Sequence, residues 1–269
     1  MLWVGVVLYE NAPRELERLC ASFALNRETA DFHVVWRDNS PTDALRTEVE
    51  RLWPGADYRF SGANLGFGAA HNRGMAEAFA APAPCAYVCV NPDGVLHPRC
   101  LTELLAQVAA VGARAGLVEA RLFPDEHPKP YAPRTHETPW CSGCVLLVTR
   151  GLYAAVGGFD ENFFMYCEDV DLSWRARAAG FGVHVAPRAL VHHYTVDRAI
   201  TPRRERMVRR SAAYLGHKYG NAAFARERLR EYHALGGEPF ELPQVQRPSS
   251  ALRDASDFEH LLQFAEPRW

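Results

Sequence analysis

The chain has 269 residues, 48% apolar and 23% charged, with a formal net charge of −2, which suits one large α/β domain or one domain with a small appendix and excludes a mainly disordered chain. The near-neutral balance excludes a polycation built for nucleic acid, and no apolar run approaches the ~20 residues that span a bilayer. The start, Met1-Leu-Trp-Val-Gly-Val-Val, lacks a signal peptide's basic region, and the seven cysteines are an odd number in a long chain, so the expectation is a cytoplasmic protein in a reducing compartment.

Residues 3–9 form a short apolar run with β-branched members, which reads as a strand. A helical stretch follows with Leu16, Leu19 and Phe23 on one face, then a second strand at 32–36 ended by Arg37-Asp38-Asn39-Ser40-Pro41. The apolar spacing predicts a helix over 42–53, a strand over 57–60, a helix over 68–80 and a strand over 85–90. Strands alternating with helices in this way indicate a parallel sheet covered on both faces. Such sheets bind ligands at the carboxyl ends of their strands, where this chain carries Asp38 and Asn91-Pro92-Asp93.

The middle is less regular. Residues 123–139 are proline-rich and hold His127, Lys129 and His136, so they read as a long loop of the functional kind. An extended run is expected over 140–149, a helix over 169–179 stopped by Gly180, and two short strand-like pieces at 181–186 and 189–194. Helices are expected at 202–217 and 221–234, followed by an irregular tail from Pro239.

Several groups of residues have the chemistry of a site. Asn91-Pro92-Asp93 delivers a carboxylate to a strand end, where it can hold a hard cation, though Asn-Pro-Asp-Gly is also good turn chemistry. Glu168, Asp169 and Asp171 open a helix. A helix N-terminus favours acids, but the aromatic residues Phe163, Phe164 and Tyr166 just before them suit a general base with a raised pKa. His192-His193 could complete a metal site with Asp93. The stretch 64–74 is a glycine-punctuated approach to a helix, whose free N–H groups suit a phosphate. Cys141 and Cys144 run into a strand, so their side chains face opposite ways and a redox or zinc pair is not expected.

In order, Val4-Gly-Val-Val-Leu-Tyr, Val35-Trp-Arg-Asp38-Asn-Ser, Asn64-Leu-Gly-Phe-Gly, Asn91-Pro-Asp93, Gly157-Gly-Phe-Asp-Glu, Glu168-Asp169-Val-Asp171-Leu and His193 resemble the family 2 glycosyltransferases, in particular the bacterial rhamnosyltransferase-like branch. The resemblance spans roughly 3–219 and implies a GT-A fold: an α/β, Rossmann-like, mostly parallel sheet flanked by helices, with a C-terminal helical extension. It implies two parts, a nucleotide-sugar-binding and catalytic domain over 1–200 and a basic extension with an irregular tail over 201–269. It implies inversion at the sugar, with a nucleotide-sugar donor, dTDP-rhamnose or a UDP-sugar, and Mg²⁺ or Mn²⁺.

Residue by residue, the resemblance implies that Asp38 contacts the pyrimidine base with Leu8 and Tyr9 lining its pocket. Asn64, Gly66 and Gly68 follow the nucleoside and diphosphate, and Asn91 belongs to the same nucleotide site. Asp93 matches the last Asp of the family's Asp-x-Asp metal motif and His193 the late metal-ligand His, with His192 one residue away as the alternative. Asp169 matches the catalytic base and Glu168 its neighbour in the acceptor site, where Trp140, Cys141, Phe164 and Tyr166 are further candidates. Two positions depart from the pattern. Asn91 replaces the first Asp of the metal motif, and Glu10 stands where many relatives have Asn.

Charge is unevenly spread. Residues 198–230 carry ten Arg or Lys against two acids, a net +8, so the rest carries −10. Arg203, Arg206 and Arg210 recur at helical spacing, which fits either a solvated face or contact with anionic headgroups of a membrane or a lipid-linked acceptor. No nucleic-acid partner is expected. The expected function is transfer of a sugar to a saccharide or lipid-linked acceptor in surface polysaccharide synthesis, on the inner face of the membrane. The rivals are a UDP-sugar-dependent transferase of the same fold, a sugar nucleotidyltransferase and a degenerate, non-catalytic relative.

Overall fold

The first apolar run becomes β1 (Leu2–Leu8), and the strands that follow are β2 (Phe32–Asp38), β3 (Asp57–Phe60), β4 (Ala86–Val90), β5 (Gly94–Leu96), β6 (Ala115–Pro124), β7 (Val145–Thr149) and β8 (Gly182–His193). The helices are α1 (Pro13–Asn26), α2 (Arg46–Leu52), α3 (Phe67–Ala80), α4 (Cys100–Val111), α5 (Arg150–Val156), α6 (Glu168–Ala178), α7 (Pro202–Lys218), α8 (Ala222–Ala234) and α9 (Ser250–Ala255). The structure, a computed structural model, describes residues 1–82, 85–124, 126–127, 129–193 and 201–259.

The strands form one sheet in the order β3-β2-β1-β4-β7-β6-β8-β5. The half containing β3, β2, β1 and β4 is parallel, as the alternation of strands and helices requires. Beyond it β7 runs antiparallel to both β4 and β6, β6 and β8 are parallel, and β5 closes the edge antiparallel to β8. The sheet is therefore mixed and mostly parallel. Strand alternation sorts the core into two layers. In β4, Ala86, Val88 and Val90 join Leu16, Leu19 and Phe23 of α1 and Leu101 and Leu104 of α4 on one face. Tyr87 and Cys89 join Met75 of α3, Leu152 of α5 and Leu172 of α6 on the other.

Several boundaries differ from the sequence expectation. The helix expected over 42–53 is α2 alone, because 42–45 bend before it starts. The stretch 94–122, to which the apolar pattern gives no element, holds β5, α4 and most of β6. Of the extended run over 140–149 only 145–149 is strand. The two pieces near 181–194 are halves of one strand, with Tyr194 outside the described residues. Between them the β6 pairing jumps from Ala186 to Leu190, past Pro187, which has no N–H to donate. That irregularity re-aims the far half of β8 and sets His193 opposite Gly94.

α7 starts where Thr201 accepts the Arg204 N–H at 3.2 Å and Pro202 occupies the first turn. It packs back on α6: Trp140, Phe163, Val170 and Trp174 share a third cluster with Ala212, Tyr214, Leu215 and Tyr219. Lys218 bridges Asp160 and Asp171 at 2.7 and 2.6 Å. The tail is mostly irregular but is tied down, with α9 against α6 through Arg177 to the Ala255 carbonyl at 2.6 Å and Phe258 against Trp174. The expected domain boundary at 200/201 borders 194–200, which lie outside the described residues together with Arg198 of the basic segment. No helix among the described residues is long and apolar enough to cross a membrane.

Candidate active site

The parallel strands end on one rim. At the end of β2, Asp38 is fully buried: Oδ1 accepts the Ser40 N–H at 2.8 Å and Oδ2 accepts the Tyr58 hydroxyl. Ser40 in turn accepts the Glu10 N–H at 2.8 Å, which holds Glu10 in the left-handed region at φ 50°. The carboxylate expected to meet a base is thus buried in this structure and holds the β1 and β2 loops through Ser40 and Tyr58. Leu8 is also fully buried, in the core, so Tyr9, 40% exposed, is the ring this rim presents. Tyr58 is a participant that its short, weakly patterned strand did not announce.

Asn64, Gly66 and Gly68 form the turn into α3. Asn64 Oδ1 accepts the Gly66 N–H at 3.0 Å, and Asn39 donates to the Gly66 carbonyl at 3.0 Å. Gly66 has φ +78°, and a Cβ there would lie 2.1 Å from the Phe164 carbonyl, so only glycine fits. The Phe67 N–H donates to that same carbonyl at 3.1 Å. The glycine turn and the aromatic stretch before the acids, about 100 residues apart in sequence, are therefore in contact.

Asn91 and Asp93 follow β4. His193 Nε2 lies 3.2 Å from Asp93 Oδ2, both side chains largely buried. His192 points the other way, exposed, with its ring 6.1 Å from Phe123. Burial alone would lower the His193 pKa, but Cys144 and Asp93 beside it push it up to about 10. One carboxylate and one imidazole, with the Asn91 amide two residues away, suit a divalent cation shared with ligand phosphates. Among the described residues no three His, Cys, Asp or Glu side chains converge into a self-sufficient metal cage.

The acids open α6 after a turn with two non-glycine residues in the left-handed region, Tyr166 at φ 70° and Cys167 at φ 67°. Each costs on the order of 1 kcal/mol. The turn is held by Ser211 of α7 donating to the Met165 carbonyl at 2.7 Å and by Phe163 packed on Tyr214. Asp169 stays partly exposed. Its Oδ1 accepts the Val170 N–H and its Oδ2 the Gly143 N–H, both at 2.8 Å. Burial raises its pKa, opposed by those two N–H groups and by Lys129. Glu168 is 5% exposed with Oε2 unpartnered, and burial with Asp169 beside it raises its carboxyl far above the usual range.

Gly143 and Cys144 join the two halves. Gly143 holds Asp169, and the next residue, Cys144, accepts the Asn91 N–H on its carbonyl at 2.8 Å. One dipeptide thus brings the acid of α6 beside the Asn91–Asp93 turn. Of the acceptor-side candidates, Phe164, 42% exposed, and the half-buried Tyr166 reach the surface. Cys141 does not: it is fully buried and its thiol donates to the His184 carbonyl at 3.3 Å. Trp140 is 4% exposed and packs against His127 and Lys129. As expected, Cys141 and Cys144 lie in opposite core layers, and both are free thiols.

Asp171, two residues beyond Asp169, faces α7. It is fully buried and accepts Arg175 Nε at 2.8 Å and the Tyr219 hydroxyl at 3.1 Å in addition to Lys218. Asp160 serves the same dock: burial pushes its pKa up, but Lys218, the Asn162 N–H and the Tyr214 hydroxyl hold it at about 2.

Residues 63–213 match the family model described as "Glycosyltransferase like family 2". The chain is 32% identical over 236 residues to an N-acetylglucosaminyl-diphospho-decaprenol L-rhamnosyltransferase of Mycobacterium tuberculosis, covering 72% of this chain and 76% of that protein. It is 28% identical over 206 residues to the rhamnosyltransferase WbbL of Escherichia coli, covering 63% and 75%. In fold it is similar to a mannosyltransferase of Pyrobaculum calidifontis, solved with GDP-Man and Mn²⁺, at TM-score 0.63 and 16% identity over 87% of this chain and 73% of that one. The sheet order, the acid pair opening α6 and this match over more than half of the chain together give its family: it belongs to the family 2 glycosyltransferases, with the GT-A fold.

Proposed function

We propose that the protein transfers rhamnose from dTDP-rhamnose, with inversion, to a lipid-linked saccharide acceptor. The observation that carries the reading is the Gly143–Cys144 dipeptide, which ties Asp169 to the turn bearing Asp93. A base and a phosphate-side carboxylate at one opening suit a single direct displacement. The two relatives that are rhamnosyltransferases support the sugar, and the diphospho-decaprenol in the name of one supports a lipid-linked acceptor. Family membership sets aside the sugar nucleotidyltransferase.

In this reading Asp169 takes the proton of the acceptor hydroxyl as that oxygen attacks the anomeric carbon from the face opposite the diphosphate. The Gly143 and Val170 N–H groups aim its carboxylate and leave two lone pairs free. Phe164 and Tyr166 flank the acceptor. Gly66 and Gly68 let the turn pack against Phe164 and Phe159, so that its backbone runs beside the donor, and Tyr9 offers the base a stacking face. Asp93 and His193 would hold Mg²⁺ or Mn²⁺, with Asn91 alongside, and the ion would offset charge on the departing diphosphate. His193 rather than His192 is the metal-side histidine, because its ring meets Asp93.

The basic segment contributes less free charge than its sequence offers. Arg206 is bonded to the Leu235 carbonyl, Arg209 to Glu205 and Glu231, and Arg228 to Glu227 and Glu231, while Arg210 sits over Phe240. Arg203, Arg204, Arg226 and Arg230 make no ion pair among the described residues, and these would meet anionic headgroups around the acceptor. Transfer assays with dTDP-rhamnose and a panel of UDP-sugars, with Mn²⁺ or EDTA, test the reading. Turnover of UDP-sugars alone overturns the donor, and full activity in EDTA overturns the metal.

A further inference from the structure

The Gly143 N–H that orients Asp169 belongs to a strap fastened by a buried ion pair. Glu119 lies in β6, 6% exposed, on the sheet face that carries α6. Its Oε2 receives Lys129 Nζ at 2.6 Å and also the N–H of Ser142. Lys129 comes from the proline-rich loop, and its side chain is 4% exposed. It donates as well to the Trp140 carbonyl at 2.7 Å and lies 4.1 Å over the Trp140 ring. Between these anchors, the Cys141 N–H donates to Ser173 Oγ at 3.0 Å, and that hydroxyl donates to the Asp169 carbonyl at 2.7 Å. Each residue from 140 to 143 is thus pinned, alternately to the ion pair and to the first two turns of α6.

Stability alone does not call for such a pair, since apolar side chains of equal volume in its place are often neutral or stabilising. Nor is loop closure the need: the loop is already fixed by the Thr138 N–H on the Val183 carbonyl and the Val185 N–H on the His136 carbonyl, both at 2.9 Å. What the charges provide is a rigid acceptor at Glu119 for one strap N–H and a cation near the carboxylate that takes the next.

We propose that Glu119 and Lys129 are positioning residues for sugar transfer: the pair fixes the 140–143 strap so that the Gly143 N–H aims Asp169 at the acceptor hydroxyl. The inference rests on Asp169 being the base. The pair also contributes two opposite charges to its surroundings. The titratable groups facing Asp169 are Glu119 from β6, Lys129 from the loop, Cys89 from β4, and Cys167 and Glu168 at its own helix end. Lys129 favours the ionised base and Glu119 opposes it.

The test is kcat against pH at saturating donor for wild type, Lys129→Met, Glu119→Gln, Lys129→Arg and the double variant Glu119→Gln/Lys129→Met, with dTDP titration as a check on the donor site. The wild-type rate rises with pH as Asp169 ionises. Lys129→Met is expected to move that limb to higher pH by on the order of one unit, a tenfold loss at a fixed pH on the limb. Glu119→Gln is expected to move it to lower pH, and Lys129→Arg to restore the wild-type position. A residue that only supports the fold would not move the limb in opposite directions for the two partners. The double variant strands no lone buried charge, so it reads the strap even where a single variant fails to fold. It is expected to lose about tenfold in plateau kcat with dTDP affinity unchanged. Coincident limbs, or a double variant with wild-type kcat, overturn the proposal. Full kcat in Asp169→Asn overturns the base assignment itself and is scored separately.

Discussion

Asp169→Asn separates chemistry from architecture at this site. The carboxylate accepts the Val170 and Gly143 N–H groups, one on each oxygen, at 2.8 Å. Asparagine keeps one oxygen, so one of these donors must face an amide NH₂. Leaving a half-buried donor unsatisfied costs about 1–3 kcal/mol. Removing a carboxylate whose pKa burial has raised returns part of that cost. Against a typical domain stability of ~5–15 kcal/mol the variant stays folded. The chemical loss is larger. General-base help is worth ~10²–10⁴ in rate, and the amide takes no proton at neutral pH. The fall is expected in kcat, with donor KM and dTDP affinity within a few-fold, as for a group used mainly in the transition state. The acid limb of kcat should vanish with the carboxylate. Initial-rate transfer assays and calorimetric dTDP titration measure both sides. Asp171→Asn is the contrast: it weakens a buried cluster with Arg175, Lys218 and Tyr219. It should cost on the order of 3 kcal/mol, seen as a lower Tm, with kcat per folded molecule retained. Normal transfer by Asp169→Asn, or a loss of dTDP binding as large as its loss of rate, would refute the reasoning.

Asp93→Ala is expected to abolish the Mn²⁺ dependence of dTDP binding while leaving Tm in the absence of metal little changed; unaltered Mn²⁺ dependence would reassign the phosphate side. Glu168→Gln mimics the protonated form that burial and the neighbouring Asp169 favour. For an acid whose folded pKa lies above its unfolded value, stability is full below the unfolded pKa and is lost as pH rises through the folded one. The variant should therefore match wild type in acid and exceed it in Tm at alkaline pH, and parallel Tm curves across pH would contradict the raised pKa. Changing Arg203, Arg204, Arg226 and Arg230 to Ser removes charges that make no ion pair among the described residues, so folding and turnover of a soluble acceptor should hold. At about 1 kcal/mol per basic residue near an anionic surface, binding to anionic vesicles should fall by up to on the order of a thousandfold. Equal vesicle binding by wild type and variant would leave this face merely solvated.

The sequence by itself determined the parallel half of the fold and the positions of the acids. Short apolar runs ending in Asp38 and Asn91-Pro92-Asp93, and three acids opening a helix, are local patterns, and local patterns survive without knowledge of partners. It did not reveal α4, β5 or β6. In α4 only the first turn and a half is buried and the later turns are half-buried or exposed, while β6 is buried along most of its length on both faces, so neither carries a clean period to read. A charged residue between apolar neighbours of β6, Glu119, was one signal available, since a buried carboxylate demands a partner. That the partner is Lys129, ten residues on in a loop, is decided by tertiary structure. So are the meeting of His193, rather than His192, with Asp93, set by the register of β8 on β5, and the bonding of Asp38 to Tyr58 and Ser40. The juxtaposition of Asp169 and Asn91 across Gly143–Cys144 joins three segments far apart in the chain. Which carboxylate stays available for chemistry and which becomes a strut depends on what the fold brings within about 3 Å of it, and residue type does not encode that distance.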